Sequence, residues 1–358
     1  MLSNNPLHEL KSIIKAEANN LGFCVIGFSS PDQLDIHKYQ KWVENNLHGG
    51  MSYLATEDSL STRQNPKKLY PQCKTIISLG ALFSNPANDD NSTPPPTSGK
   101  IACYALGQDY HQVLAQKIDE LMAIVISAAN TEIDWISAID TKPLAEKELA
   151  QKAGLGWIAK NSMLTNPTFG SSLFLCEALL NIELPEDEPF QKDLCGTCTT
   201  CIEACPTNCI LPDRTIDANK CLSYLTIEHR GVIDKIFFDK INPFIFGCDI
   251  CLQVCPWNKK AQSTPMMKDF LPDNQNPYFD IPSNLERISS SFHRYFEYSA
   301  IRRASKQGFL RNCMIRLSQT PTDKNIEMIN SIVSALPETY LSEQKKRIDE
   351  YISKKKGS

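Results

Sequence analysis

The 358-residue chain has no apolar run of the roughly 20 residues needed to cross a bilayer as a helix. Its opening, MLSNNPLHELKS, lacks the apolar stretch of a secretory leader. A cytoplasmic protein with no membrane partner is therefore expected. Basic residues are not in excess either: 37 lysines and arginines against 41 acids give a formal charge of -4, so any attraction for nucleic acid must come from a local basic face. No convincing internal repeat is present, which leaves repeat architectures without support. Cysteine, by contrast, is plentiful. In a reducing compartment the 14 cysteines are not expected to pair as disulfides, and their clustering points to metal.

With 42% hydrophobic residues, the chain can fill two or three ordinary domains. Leu7, Leu10, Ile13, Ile14 and Leu21 recur at helical intervals, FCVIGFSS at 23–30 reads as a strand, and a helix is expected through 33–47. CKTIISLGALF at 73–83 is a second strand, and the proline-rich polar stretch 84–100 reads as a mobile surface loop. A long amphipathic helix over 110–130, a strand EIDWISAI ending at Asp140 and a helix with Pro143 in its first turn follow. SLFLCEALLNIEL at 172–184 closes this α/β part, expected over 1–185. The cysteine-rich part is expected over 186–280. Beyond it, Ile326, Ile329, Val333 and Leu336 mark one helix face in an all-helical tail, 281–358.

CGTCTTCIEACPTNC holds Cys195, Cys198, Cys201 and Cys205 in the CxxCxxCxxxCP spacing by which ferredoxins grip a cubane cluster. Three thiolates two residues apart take three corners of one cluster, and the fourth, followed by Pro206, reaches a neighbouring cluster. CDICLQVCPWN repeats the arrangement with Cys248, Cys251 and Cys255, and Cys221 between the runs supplies the eighth thiolate. The crossing rule places Cys195, Cys198, Cys201 and Cys255 on one [4Fe-4S] cluster, and Cys205, Cys221, Cys248 and Cys251 on the other. Structural zinc is the rival reading, but zinc needs no triple CxxCxxC. No CxxxCxxC triplet of the radical S-adenosylmethionine type occurs. Cys24, Cys73, Cys176, Cys209 and Cys313 read as small apolar residues.

KIACYALGQDYHQVL at 100–114, DTKPLAEKELAQKAGLGWIAKNSML at 140–164, FGSSLFLCEALLNIELP at 169–185, NKCLSYLTIEHRG at 219–231 and FGCDICLQVCPWN at 246–258 together resemble the epoxyqueuosine reductases. The resemblance spans most of the chain. It implies a cobalamin-binding α/β domain, a ferredoxin-like domain with two [4Fe-4S] clusters and an all-helical tail. The implied activity is reduction of epoxyqueuosine to queuosine in a tRNA anticodon loop, with two electrons and two protons. The family's proton-donating carboxylate falls on Asp140, whose pKa would be raised by burial beside the corrin. Spacing alone favours Asp140 as a helix cap ahead of Pro143, and the resemblance reverses that preference.

By the same resemblance, Arg63, Lys160, Asn161, Ser171, Ser172, Ser223 and Tyr224 would contact cobalamin. Cys103 would face the substrate side of the cobalt or serve as a buried structural thiol. Lys142, Ala159 and Cys176 depart from the family pattern, and Lys142 could lower the Asp140 pKa. No DxHxxG lower-ligand motif occurs, since Asp35-x-His37 is followed by Gln40, so a cobalamin without a histidine ligand is implied.

Arg287, Arg294, Arg302, Arg303, Lys306, Arg311 and Arg316, interleaved with Phe292, Tyr295, Phe296, Tyr298 and Phe309, form a local basic stretch. They could bind phosphates and stack on loop bases, or be a helix face over an aromatic core. The partners implied are epoxyqueuosine-bearing tRNA and a reduced electron donor, acting on a monomer. Two alternatives stay open: another corrinoid iron-sulfur reductase such as a reductive dehalogenase, or a non-catalytic electron carrier.

Overall fold

We describe the protein from a computed structural model, which covers residues 6–85, 95–129, 131–262, 266–271 and 277–356. The two most apolar segments, TIISLGAL and LFLCEALL, become β2 (Thr75–Leu82) and β7 (Leu173–Leu180) at the centre of a four-stranded sheet. Its edges are β1 (Val25–Ser29), beside β2, and β4 (Trp135–Ala138), beside β7. All three pairings are antiparallel, although helices and strands alternate along the chain as expected. Burial on both faces explains why β2 reads as a continuous apolar run.

One face carries Phe28, Ile77, Leu79, Ala81, Phe174 and Ala178 and packs on α1 (Pro6–Asn20) and α4 (Tyr110–Ala128), whose Leu10, Ile14, Leu114, Ile118 and Leu121 complete that core. The other face meets α5 (Glu146–Lys152) through Val25, Ile76, Ala138 and Leu179. α5 comes so close that a Cβ on Gly27 would lie 2.1 Å from the Ala153 carbonyl, so only glycine fits there. α5 starts three residues beyond Pro143, because Thr141–Ala145 bend into a turn in place of the helical turn expected there. α2 (His37–Glu44) and α3 (Glu57–Gln64) follow β1, and α2 is shorter than the 33–47 stretch expected.

A second sheet joins distant parts of the chain. β3 (Ser98–Ile101) pairs in parallel with β8 (Phe244–Phe246) and antiparallel with β9 (Tyr278–Asp280). Residues 98–100, expected in the polar loop, are thus strand; 86–94 lie outside the described residues. The pairing partners are more than a hundred residues away, so local composition carries no trace of them. Two-residue strands β5 (Trp157–Ile158) and β6 (Leu164–Thr165) form a small hairpin.

The cysteine segment is built from short helices: α6 (Thr200–Glu203), α7 (Leu222–Ile227), α8 (Phe238–Ile241), α9 (Ile250–Gln253) and α10 (Pro256–Lys259), with α6 against α9. The tail comprises α11 (Ile281–Tyr295), α12 (Ser305–Ser318), α13 (Asp323–Ala335) and α14 (Leu341–Lys356). α12 is buried from Gly308 to Ser318 and touches α7, β8, α13 and α14, so it is the axis of this part. Among the described residues, no helix is long and apolar enough to cross a membrane.

Candidate functional site

A cavity of about 340 Å³ opens where the strand-end loop after β4, the start of α4, the start of α7 and the segment before α12 meet. Trp42, Tyr104, Tyr110, Asp140, Tyr224 and Arg303 are among its walls. Larger cavities of about 560 Å³ near Tyr298 and near Met267 have no imidazole in their walls, and one of about 490 Å³, lined by Glu228, His229 and Asp234, does not include Asp140.

Asp140 lies just past the carboxyl end of β4 and projects from a left-handed backbone, φ 53°, a conformation that aspartate tolerates better than most residues. Its Oδ2 accepts a hydrogen bond from the Tyr110 hydroxyl at 3.1 Å and lies 3.2 Å from His111 Nε2. The other ring nitrogen of His111 is 2.7 Å from Asp109 Oδ1. Asp109 is the N-cap of α4, and that cap presents Tyr110 and His111 to Asp140 from the first helical turn. Tyr110 is held by stacking on Phe174, 4.5 Å between ring centres.

This arrangement corrects the expected electrostatics. Burial would raise the Asp140 pKa, but the bond and charge of His111, then Tyr110 and Arg303, outweigh it and hold the carboxyl below its ordinary value. Burial likewise works against a charged His111, yet Asp109 and Asp140 lift it to about 9. At neutral pH the proton therefore resides on the imidazole. Lys142 is not among the main groups that lower Asp140, and its Nζ donates to the Ser137 carbonyl at 2.5 Å. Nor is Asp140 the cap of α5; its own N–H is instead capped by Glu146 Oε1 at 2.6 Å.

Burial and then Cys255, Cys195 and Cys198 push the Cys201 thiol up to about 11, so these four are neighbours. Cys248 and Cys251 each feel Cys221, and Cys251 also feels Cys201 and then Cys205, so the two groups adjoin. Among the described residues no three cysteine, histidine or acidic side chains converge on a single ion position. Cys209 is buried, as expected, with its Sγ 3.4 Å from Cys205 Sγ. Cys221, Ser223 and Tyr224 also line the cavity, so one of the eight expected cluster cysteines, Cys221, shares it with Asp140.

The residues expected to touch cobalamin divide. Arg63 donates to the Leu144 carbonyl at 2.5 Å and lies over the Tyr39 ring, while its buried Nε has no hydrogen-bond partner. Ser172 Oγ is also buried without a partner, as are Ser29 and Ser59 Oγ. Such orphaned donors suit a polar group that enters from outside the chain. Lys160 and Ser171 are bonded to the cluster segment. Lys160 Nζ donates to the Gly196 and Cys198 carbonyls at 2.8 Å, and Ser171 binds Asn258 Oδ1 through its N–H at 2.7 Å. Asn161 is buried, with Oδ1 toward the Met163 N–H, and Tyr224 accepts from the Gly50 N–H at 2.6 Å. Cys103 is buried in the sheet core with its N–H on Asp249, and Tyr104, not Cys103, lines the cavity.

The basic stretch is partly core. Arg311, 0% exposed, donates to the carbonyls of Leu225, His229 and Gly231, and Arg316 to those of Ser98 and Pro95. Both are structural because they satisfy buried backbone acceptors. Phe292, Phe296 and Phe309 pack on one another in the helical core, whereas Tyr295 and Tyr298 are exposed. Arg287, Arg294 and Arg302 remain exposed, and Lys306 is half-buried. Arg303 stands at the cavity, paired with Glu228 at 2.5 Å and bonded to Tyr53. The sequence reading missed Asp109, Tyr110 and His111, for which the cap signal of Asp109 ahead of a helical histidine was the available clue.

Residues 194–258 match the family model described as a 4Fe-4S double cluster binding domain, and residues 63–141 match that of epoxyqueuosine reductase QueG. An epoxyqueuosine reductase of Cyclobacterium marinum is 38% identical over 84% of this chain and 94% of its own length. The structure of epoxyqueuosine reductase from Streptococcus thermophilus superposes with a TM-score of 0.81 and 29% identity, covering 93% of this chain and 87% of that one. An epoxyqueuosine reductase solved with a tRNA-Tyr epoxyqueuosine-modified stem loop matches at TM-score 0.79 and 27% identity, over 97% of this chain and 99% of that chain.

Proposed function

The chain belongs to the epoxyqueuosine reductase family, and from that premise we propose that Asp140, charged with a proton by His111, protonates the epoxide oxygen of epoxyqueuosine in a tRNA anticodon loop. The observation that carries this reading is the Asp109–His111–Asp140 chain at the cavity wall, beside Cys221. Bound cobalamin supplies a strongly nucleophilic reduced metal centre, and the two clusters supply its electrons one at a time.

The residues of the chain do the rest. His111 stores a proton at neutral pH and Asp140 presents it to the oxygen as negative charge develops. Tyr110 and Arg303 lie around the same oxygen site, where a hydroxyl donor and a guanidinium favour an anion. Arg63 and Ser172, with buried unsatisfied donors, are the best supported of the cobalamin contacts; Ser223 lies at the cavity. Exposed Arg287, Arg294 and Arg302 with Tyr298 would hold the RNA, and an unpaired loop base could enter the cavity with little unstacking. The division into a substrate and cofactor part over 1–185, a cluster part over 186–280 and a helical RNA-gripping part over 281–358 fits this assignment of roles.

The test is anaerobic reconstitution with cobalamin and a reductant, followed by mass analysis of nucleosides from epoxyqueuosine-containing tRNA. Queuosine should accumulate with wild-type protein. Intact epoxyqueuosine, in protein that has bound both iron-sulfur clusters and the corrin, would overturn the reading.

A further inference from the structure

Reducing power has to reach this protein from outside, because each turnover consumes two electrons that no side chain supplies. The entry point is best sought where the cluster segment is turned away from the Asp140 cavity. Cys221 lines that cavity, whereas Cys195, Cys198, Cys201 and Cys255 do not. The two cysteine groups adjoin, since Cys251 feels both Cys201 and Cys205. An electron arriving at the outer group is therefore one transfer from the inner one.

The loop that carries Cys195 and Cys198 is open to solvent. Gly196, Thr197, Thr199 and Thr200 are exposed, and a Cβ on Gly196 would meet nothing within 4 Å, so open space stands over the apex. The left-handed φ of 50° at Gly196 favours glycine, and the missing side chain leaves the backbone bare. The base of the loop is fixed. Trp257 Nε1 donates to the Leu194 carbonyl at 3.2 Å, Trp157 Nε1 donates to Cys195 Sγ at 3.4 Å, and the two indoles meet edge to face with centres 5.1 Å apart. A bare apex on a fixed base lets another protein come close without reordering the loop.

The rim of this loop is positive, in a chain whose formal charge is -4. Lys192 is exposed just before it, and Lys160 spans the Gly196 and Cys198 carbonyls. Lys259 and Lys260 are exposed at the end of α10, the helix that begins beside Cys255 and that Trp257 ties to the loop. The acids of the same stretches offset this only in part. Asp193 is paired with Arg214, while Glu203 and Asp213 accept hydrogen bonds from the Thr199 and Thr215 hydroxyls at 2.5 and 2.6 Å.

We propose that the bare loop over Cys195–Thr200 and its lysine rim are the docking face for a small acidic protein that carries one electron at a time, and that electrons enter the molecule there. The inference rests on the proposed flow of electrons toward the Asp140 cavity. In each encounter the carrier is oxidised by one electron and the outer cluster is reduced by one, with no atom transferred; two encounters supply one turnover. Opposite charge on the two faces speeds and orients such brief encounters more than it tightens them.

The test mixes oxidised holoprotein, without oxygen and without tRNA, with a reduced plant-type [2Fe-2S] ferredoxin, an acidic one-electron carrier, and follows the bleaching of the [4Fe-4S] absorbance. Wild-type reduction should slow by at least about tenfold between about 0.05 and about 0.5 M salt. K192E, K259E and K260E should each slow it by about threefold to tenfold at low salt, whereas K346E, the same charge change on exposed Lys346 of α14, should leave it unchanged. Reduced methyl viologen, a small cation, should reduce every variant at least as fast as the wild type, which shows that the clusters are intact. A wild-type protein that methyl viologen reduces and ferredoxin does not, a ferredoxin rate indifferent to salt, or equal rates in K346E and the rim variants would overturn the proposal. The readout needs neither tRNA nor turnover, so its failure is distinct from failure of the role assigned to Asp140.

Discussion

His111 Nε2 lies 3.2 Å from Asp140 Oδ2, and this contact inverts the protonation expected of a donor carboxyl. The acid that faces the cavity is ionised at rest, and its proton is stored on the next group in the chain. A donor of this kind is a pair, and both members should matter.

Asp140→Ala should abolish queuosine formation, while iron and cobalamin contents stay at wild-type levels. General-acid contributions of about 10²–10⁴-fold set the expected loss. Nucleoside mass analysis with metal analysis of the same sample checks it, and wild-type turnover in the variant would remove the assignment.

His111→Ala should remove stability in a pH-dependent way. The folded pKa of His111 is raised to about 9, so its contribution is full below its ordinary value of 6.5 and is lost as pH rises through about 9. Asp109 and Asp140 are lowered, so their contributions are present above the ordinary carboxyl value and are lost as pH falls through their depressed ones. Variant and wild type should differ by about 1 kcal/mol near pH 6, a figure reduced for the partial exposure of the site, and converge by pH 10. Urea unfolding at the two pH values gives the comparison.

Cys255→Ala should cost the cluster held by Cys195, Cys198 and Cys201, although Cys255 belongs in sequence to the other run. About half of the iron should go. The remaining electron paramagnetic resonance signal should match that left by Cys198→Ala and differ from that left by Cys248→Ala; identical signals from all three variants would contradict the crossed ligation.

Arg311→Ala should destabilise the helical tail by roughly 3–5 kcal/mol, because three backbone carbonyls lose their donor and a buried cavity is left. Arg294→Ala and Arg302→Ala should leave stability within about 0.5 kcal/mol and each lower the salt dependence of tRNA binding by about one unit of slope. Denaturation curves and binding titrations over a salt series separate the two classes. A stable Arg311→Ala protein with weakened RNA binding would reverse the assignment.

Lys160→Met should loosen the first cluster loop, where the amine spans the Gly196 and Cys198 carbonyls. The expected outcome is faster cluster loss in air with unchanged corrin binding. Weaker corrin binding with an intact cluster would return Lys160 to the cofactor site.

The double-cluster domain was legible because a cubane is gripped locally: thiolates two residues apart reach neighbouring irons whatever the rest of the chain does. The central strands were legible for a similar reason, since β2 and β7 are buried on both faces and show it in continuous apolar runs. β3 was not, because SGKI becomes a strand only through partners that lie 144 and 180 positions further on, at Phe244 and at Tyr278–Asp280. Arg311 and Arg316 misled for the complementary reason. A basic residue on a helix looks solvated until the fold surrounds it with carbonyls.

By itself the sequence determined which metal clusters the chain can hold, which family it resembles and that Asp140 ends a strand, for these depend on residue types at fixed short spacing. Only the tertiary structure decided the charge state of Asp140 and which side chains share its cavity. Those properties are sums of distances and desolvation over side chains from four separate stretches, and no single stretch encodes the sum.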